Sequence, residues 1–191
     1  TLLRKLKELF LAIEIEKSYE GIEGATITIN GGEISVVAND DGLNAAGGND
    51  SSSPNMRNYQ ASSGSYAIYI NGGRLYVNAV GDGIDSNGAL YLNGGEVVVD
   101  GPTNSGNGAL DAEGEVQFNG GSVIAVGASG MAVAPSANSS KYSLSVFFDS
   151  TYSAGTVIEV RDASGNVILT HTAAKSFQHA SLSSDKLVIS S

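Results

Sequence analysis

Tyr69-Ile70-Asn71-Gly72-Gly73-Arg74-Leu75-Tyr76-Val77 and Tyr91-Leu92-Asn93-Gly94-Gly95-Glu96-Val97-Val98-Val99 are two copies of one unit, 22 residues apart. Asn-Gly-Gly also starts at Asn30 and Asn119, so it occurs four times, with spacings of 41, 22 and 26 residues. Alternating apolar residues flank each copy. Before it stand Ile27 and Ile29, Ile68 and Ile70, Leu90 and Leu92, and Val116 and Phe118; after it stand Ile34 and Val36, Leu75 and Val77, Val97 and Val99, and Val123 and Ala125. Alternation with a period of two predicts short strands with one buried face.

A second motif alternates with these units, an acid, a glycine, an apolar residue and then an acid or Asn. It reads Glu20-Gly21-Ile22-Glu23, Asp41-Gly42-Leu43-Asn44 and Asp82-Gly83-Ile84-Asp85, with a looser copy from Asn107 to Asp111. Its last copy, Ser129-Gly130-Met131, has lost the acid. Asn-Gly also favours two-residue hairpins. A hairpin accounts for one unit but not for the fixed order strand, turn, strand, acidic bend, strand. A coil of about 22 residues holding three short strands accounts for all of it. Equivalent residues then stack on adjacent coils about 4.8 Å apart, and the four Asn side chains form a hydrogen-bonded ladder.

The predicted fold class is all-β, a parallel β-helix (solenoid) with a short N-terminal helical cap and a small antiparallel β C-terminal cap. The expected divisions are a helical cap at 1–10, coils over 11–140 with an insertion at 45–65, and a β cap at 141–191. Leu2, Leu3, Leu6, Leu9 and Phe10 lie at helical spacing behind Thr1. Ile15 stands five residues before Glu20, as Val36 does before Asp41 and Val77 before Asp82. Residues 11–24 therefore read as the tail of a coil, and the expectation is a solenoid shortened at this end and closed by a helix. From Lys141 the repeat stops. Ser143 to Phe148, Thr156 to Arg161 and Val167 to Thr172 alternate, with a turn at Asp162-Ala163-Ser164-Gly165-Asn166.

Composition agrees. Of 191 residues 25 are Gly and 3 Pro, which suits a β protein with tight, repeated turns. A formal net charge of −10 argues against nucleic acid and suits cations. No Cys is present, which excludes disulfides and thiolate metal sites. No apolar run reaches the roughly 20 residues of a membrane span. The start Leu2-Leu3-Arg4-Lys5-Leu6-Lys7-Glu8 lacks the pattern of a signal peptide, so a mature, processed or trimmed chain is expected.

In the coil register the acids stack, Glu20 with Asp41 and Asp82, and Glu23 with Asn44, Asp85 and Asp111. Stacked carboxylates repel unless a cation intervenes. Calcium takes six to eight oxygens from carboxylate, amide and backbone carbonyl groups, and Asp-Gly bends supply all three. Asp40 adds a further carboxylate, and Asn49 or Asp50 is placed to fold over from the insertion. The first expected site is Glu23, Asp40, Asp41 and Asn44; the second is Asp82, Asp85 and Asp111. Singly, Asp and Asn also serve to satisfy backbone donors at turns. Thirteen carboxylates in residues 18–134 against only Arg57 and Arg74 favour the cation for the stack.

Several segments together carry a family resemblance. They are Ser18-Tyr19-Glu20-Gly21-Ile22-Glu23-Gly24, the run from Asn39 through Asp41-Gly42-Leu43-Asn44 to Asp50, and Gly101-Pro102-Thr103-Asn104. Gly108-Ala109-Leu110-Asp111 and Ala125-Val126-Gly127-Ala128-Ser129-Gly130-Met131 complete the set. Over about residues 12–185 the chain resembles the C-terminal half of bacterial carbohydrate-binding domain-containing proteins shaped like pectate lyases. The resemblance implies a right-handed parallel β-helix with bound Ca2+ that binds plant cell-wall polysaccharide, such as pectin or cellulose, without cleaving it. It also implies a secreted or cell-surface protein.

For sugar binding the expected residues are Tyr69, Tyr76 and Tyr91, which point outward from their strands and offer flat faces to sugar rings. An aromatic ladder that only stabilises the sheet is the equal alternative. Catalysis is not expected. Residues 18–134 contain no Lys and no His to act as the strong base of a lyase, and His171 and His179 are expected at the surface of the cap. The alternatives are a structural or adhesive cell-surface solenoid, or a scaffold engineered from one, and a pectate-lyase-like enzyme.

Overall fold

The structure is a computed structural model that describes residues 11–46 and 66–188. The helical cap expected over 1–10 and most of the insertion expected over 45–65 lie outside the described residues. Among the described residues there is no helix.

Each passage of the chain lays down three short strands. The first gives β1 (Ala12–Ser18), β2 (Ile22–Glu23) and β3 (Thr26–Ile29), and the second gives β4 (Glu33–Ala38), β5 (Leu43–Ala45) and β6 (Ala67–Ile70). The third gives β7 (Arg74–Ala79), β8 (Ile84–Ser86) and β9 (Ala89–Leu92), and the fourth β10 (Glu96–Asp100), β11 (Leu110–Ala112) and β12 (Val116–Phe118). After β13 (Ser122–Gly127) the pattern ends. Strands pair in parallel with their counterparts on the next passage, in the orders β1-β4-β7-β10-β13, β2-β5-β8-β11 and β3-β6-β9-β12. The described residues are all-β, mostly in parallel sheets and without a closed barrel, an architecture compatible with a β-solenoid.

The register stacks like on like. Ile34, Leu75, Val97 and Val123 face one another in turn, as do Val36, Val77, Val99 and Ala125. These side chains are buried together with Ile68, Ile70, Leu90, Leu92 and Phe118 in one core. Each buried Val, Leu or Ile contributes about 1.5–3 kcal/mol, so the period-two pattern leaves little freedom to slip register.

The Asn-Gly-Gly turns stack as well. Asn71 Nδ2 donates to Asn30 Oδ1 at 2.8 Å, Asn93 to Asn71 at 2.8 Å and Asn119 to Asn93 at 3.0 Å. The second glycine of each turn has positive φ, +92° at Gly32, +88° at Gly73, +84° at Gly95 and +77° at Gly121. At Gly73 a Cβ would also strike the backbone of the preceding turn at Gly32 O and Gly31.

The last passage is closed by the chain that follows. Ser136 N donates to Val116 O at 2.7 Å and Lys141 N to Phe118 O at 2.9 Å, while the hydroxyls of Ser136 and Ser139 accept from the amides of Val116 and Phe118. Then come β14 (Ser143–Tyr152), β15 (Val157–Arg161), β16 (Val167–Thr172) and β17 (Phe177–Ser184). β17 pairs antiparallel with β13, and β14 with β17. β15 and β16 form a hairpin whose turn is held by Asp162 Oδ1, acceptor for the amides of Ser164 and Asn166. The outer face of the first sheet at Ile124 and Val126 packs with Leu169, Ala173, Phe177 and Leu182.

The surface placement expected for the two histidines is corrected. His179 is 3% exposed, because β17 lies between β13 and β14 and the Phe147 ring tilts against the imidazole at 4.6 Å. The His171 side chain is 14% exposed and lies on the Asp100 carboxylate.

Candidate acidic-bend site

The backbone ladder runs through the bends. Gly21 N donates to Asp41 O and Gly42 N to Asp82 O, both at 2.9 Å, and Gly83 N to Gly108 O at 3.0 Å. This carries the Ile22–Leu43 pairing back through the bend and sets Glu20, Asp41 and Asp82 on successive passages. Glycine is required at the centre, since a Cβ at Gly42 would meet Gly83 O and the Val77 side chain. Beyond the bend Glu23 pairs with Asn44, Asn44 with Asp85, and Asp85 with Asp111.

Part of this array serves the turns. Asp82 N donates to Asp41 Oδ1 at 2.7 Å, and Gly108 N to Asp82 Oδ1 at 2.5 Å. Asn44 Nδ2 reaches Asp41 Oδ2 at 3.4 Å, a long contact. The rest is under electrostatic load. Asp82 is pushed up to about 7, chiefly by burial, with the Gly108 amide opposing and Asp41, Asp111 and Asp40 adding to the rise. Burial also pushes Asp85 up to about 7, helped by Asp41, Asp82, Asp111 and Glu113. Asp111 is raised by burial and by Glu113, against the Ala112 amide.

Among the described residues no three carboxylate, imidazole or thiol groups converge as a ready metal-ligand set. Two carboxylate oxygens do come together, with the Asn44 amide beside them. A Cβ on Gly81 would meet both Asp40 Oδ1 and Asp41 Oδ1, so these two oxygens share one small space. Asn44 is 2% exposed, and its Oδ1 is buried with no hydrogen-bond partner among the described residues. Two carboxylates, an amide oxygen and nearby backbone carbonyls are the donor types a hard cation takes. Asn49, Asp50 and Arg57 lie outside the described residues.

Of the expected sugar-binding residues, Tyr69 and Tyr91 are opposite one another on β6 and β9, with ring centroids 5.0 Å apart and planes 10° apart. They stand in an outward row from Thr28 to Gln117. Tyr76 belongs to a different sheet, and its hydroxyl donates to Asp100 Oδ2 at 3.0 Å.

Asp100 escaped the reading of the sequence. Its side chain is fully buried, and it accepts from Tyr76, from His171 Nε2 at 3.0 Å and from Ala174 N at 2.9 Å. Burial raises its pKa, but the His171 and Ala174 hydrogen bonds outweigh that and hold it below the ordinary carboxylate value. Lys175 donates to Ala79 O beside it, and burial lowers its ammonium to about 8. The one sequence signal was a carboxylate ending the Val97-Val98-Val99 run, in register with Asn78.

Comparison of the chain with protein-family models, with curated proteins and with solved structures finds no match to any of them.

Proposed function

We propose that this chain is a Ca2+-binding, right-handed parallel β-helix that binds plant cell-wall-type polysaccharide and catalyses no reaction, at the cell surface or in the secreted state. The observation that carries the cation reading is the in-register acidic array, in which Asp82 and Asp85 are pushed up to about 7 while Asn44 Oδ1 is buried without a partner. In this reading Glu23, Asp40, Asp41 and Asn44 supply oxygens to one ion and Asp82, Asp85 and Asp111 to a second, with Glu20 extending the row. The three aspartates do not converge as a ready set, so the second ion draws them together on binding. The bound ion supplies positive charge that lets the aspartates stay ionised at neutral pH. Right-handedness is supported by the strong bias of parallel crossover connections.

The sugar reading rests on the family resemblance; the Tyr69–Tyr91 stack is equally accounted for as an aromatic ladder that stabilises the sheet. Against catalysis stands the commitment of the bend carboxylates to the amides of Asp82 and Gly108. Arg74, the one described cation in residues 18–134, is paired with Glu96 at 3.2 Å. Melting in calcium and in chelator tests the ion, with a higher Tm expected in calcium that Asp41→Asn reduces. Retention on pectin or cellulose is expected, and no retention on either polymer at any calcium level defeats the binding claim. That outcome, with the calcium-dependent Tm intact, favours the second reading of a purely structural or adhesive solenoid, which the self-satisfied asparagine ladder supports.

A further inference from the structure

The hairpin covers only part of the first sheet's outer face, and along its margin runs a cleft of about 430 Å³. One wall is the sheet. Glu33, Arg74 and Glu96 follow one another in register on β4, β7 and β10, and Ser35 and Tyr76 form the next row inward. Thr170 and His171 of β16 form the other wall. The volume falls within the roughly 300–1,000 Å³ of small-molecule sites.

Asp100 fixes the two rings of this cleft. One of its carboxylate oxygens holds the Tyr76 hydroxyl and the other the His171 ring. Both rings are therefore oriented before any ligand arrives, which lowers the ordering cost of binding. The other groups suit hydroxyls in both directions. Glu33 and Glu96 accept, Arg74 donates, and Ser35 and Thr170 do either. Charge selects further. Arg74 is paired with Glu96, so Glu33, with the Asp100 carboxylate behind the two rings, leaves the cleft net negative. A uronate is repelled there, whereas a neutral polyhydroxylated ring loses nothing.

We infer that this cleft, and not the acidic bends or the Tyr69–Tyr91 pair, holds a neutral oligosaccharide segment. The inference rests on the polysaccharide-binding reading above and assigns it a place and a ligand class. The test is a titration of the isotope-labelled chain in calcium, followed by amide chemical shifts. The probes are cellohexaose, xylohexaose and mannohexaose, with hexagalacturonate as the acidic comparison. The expected result is saturable shifts at Ser35, Tyr76, Thr170 and His171 with at least one neutral hexasaccharide, and at least tenfold weaker binding of hexagalacturonate. Ser35→Tyr and Thr170→Trp, which fill the cleft from opposite walls, each weaken that binding tenfold or more with an unchanged Tm. Shifts mapping instead to Tyr69 and Tyr91 or to the bends overturn the cleft while leaving polysaccharide binding intact. Equal affinity of hexagalacturonate at the cleft overturns the ligand class. No shift with any of the four sugars overturns both readings.

Discussion

Each passage of the chain makes two polar turns, and the two solve the same problem in opposite ways. In the column Asn30, Asn71, Asn93 and Asn119 each side chain after the first donates to the one before it, and Ser140 N donates to Asn119 Oδ1 at 3.1 Å at the far end. An amide carries both donor and acceptor, so a column of amides closes on itself. At Glu20, Asp41 and Asp82, and at Asp85 and Asp111, the stacked groups are carboxylates, which only accept. Such a column needs backbone amides, protons or a cation from outside it. Backbone amides are supplied to Asp41, Asp82 and Asp111, and the load they do not offset appears as the raised pKa of Asp82, Asp85 and Asp111. A repeat of one residue type is thus stabilising or loaded according to whether the side chain complements itself.

The comparison breaks most severely at the glycines. Gly73→Ala puts a Cβ at positive φ against the backbone of the neighbouring turn, and a loss of roughly 2–3 kcal/mol is expected in urea unfolding.

Next comes Asp85→Asn, which makes an acidic position resemble the amide ladder. Asp85 lies near 3.8 when unperturbed and at about 7 in the fold. Between those values the folded state holds a proton that the unfolded chain has released, so stability falls as pH rises through the window. In chelator, the variant is expected to melt several degrees higher than the parent at pH 7 and to show a weaker gain on acidification to pH 5. His179 works in the other direction. Burial holds it at about 4 against 6.5, so the unfolded chain takes up its proton first and acid destabilises. The difference between parent and variant melts at pH 5, 6 and 7 removes that shared background, and equal slopes would defeat the assignment.

The reverse exchange is smaller. Asn93→Asp removes the donor to Asn71 Oδ1 at an exposed position, and a loss of about 1 kcal/mol is expected from chemical denaturation. Smallest is Tyr91→Leu, which keeps an apolar side chain but deletes the ring stack with Tyr69. A cost of about 0.5 kcal/mol is expected, measured as a double-mutant cycle with Tyr69→Leu.

What the sequence contained was whatever recurs. The period places Val36, Val77 and Val99 in one buried column, Asn30 through Asn119 in another, and Glu23, Asn44, Asp85 and Asp111 in a third. Alternation fixes which side chains point inward, and the copy spacing fixes which of them meet, so the candidate site was legible as a list of residues. Its distances were not. The sharing of one space by Asp40 and Asp41, and the isolation of Asn44 Oδ1, depend on backbone paths that no spacing encodes.

Contacts outside the period were decided by the tertiary structure alone. Asp100 meets His171 and Ala174 across 71 and 74 residues of chain, Lys175 meets Ala79 across 96, and β17 enters the sheet beside β13 so that His179 is buried. None of these pairs repeats, and a contact made once leaves no periodic signature. Local pattern therefore determined the coils, the amide ladder and the acidic columns, because each residue there is specified by its own copy one passage away. Docking of the C-terminal hairpin determined the buried carboxylate, the buried histidine and the cleft, because packing between two dissimilar surfaces depends on shapes that exist only once both have folded.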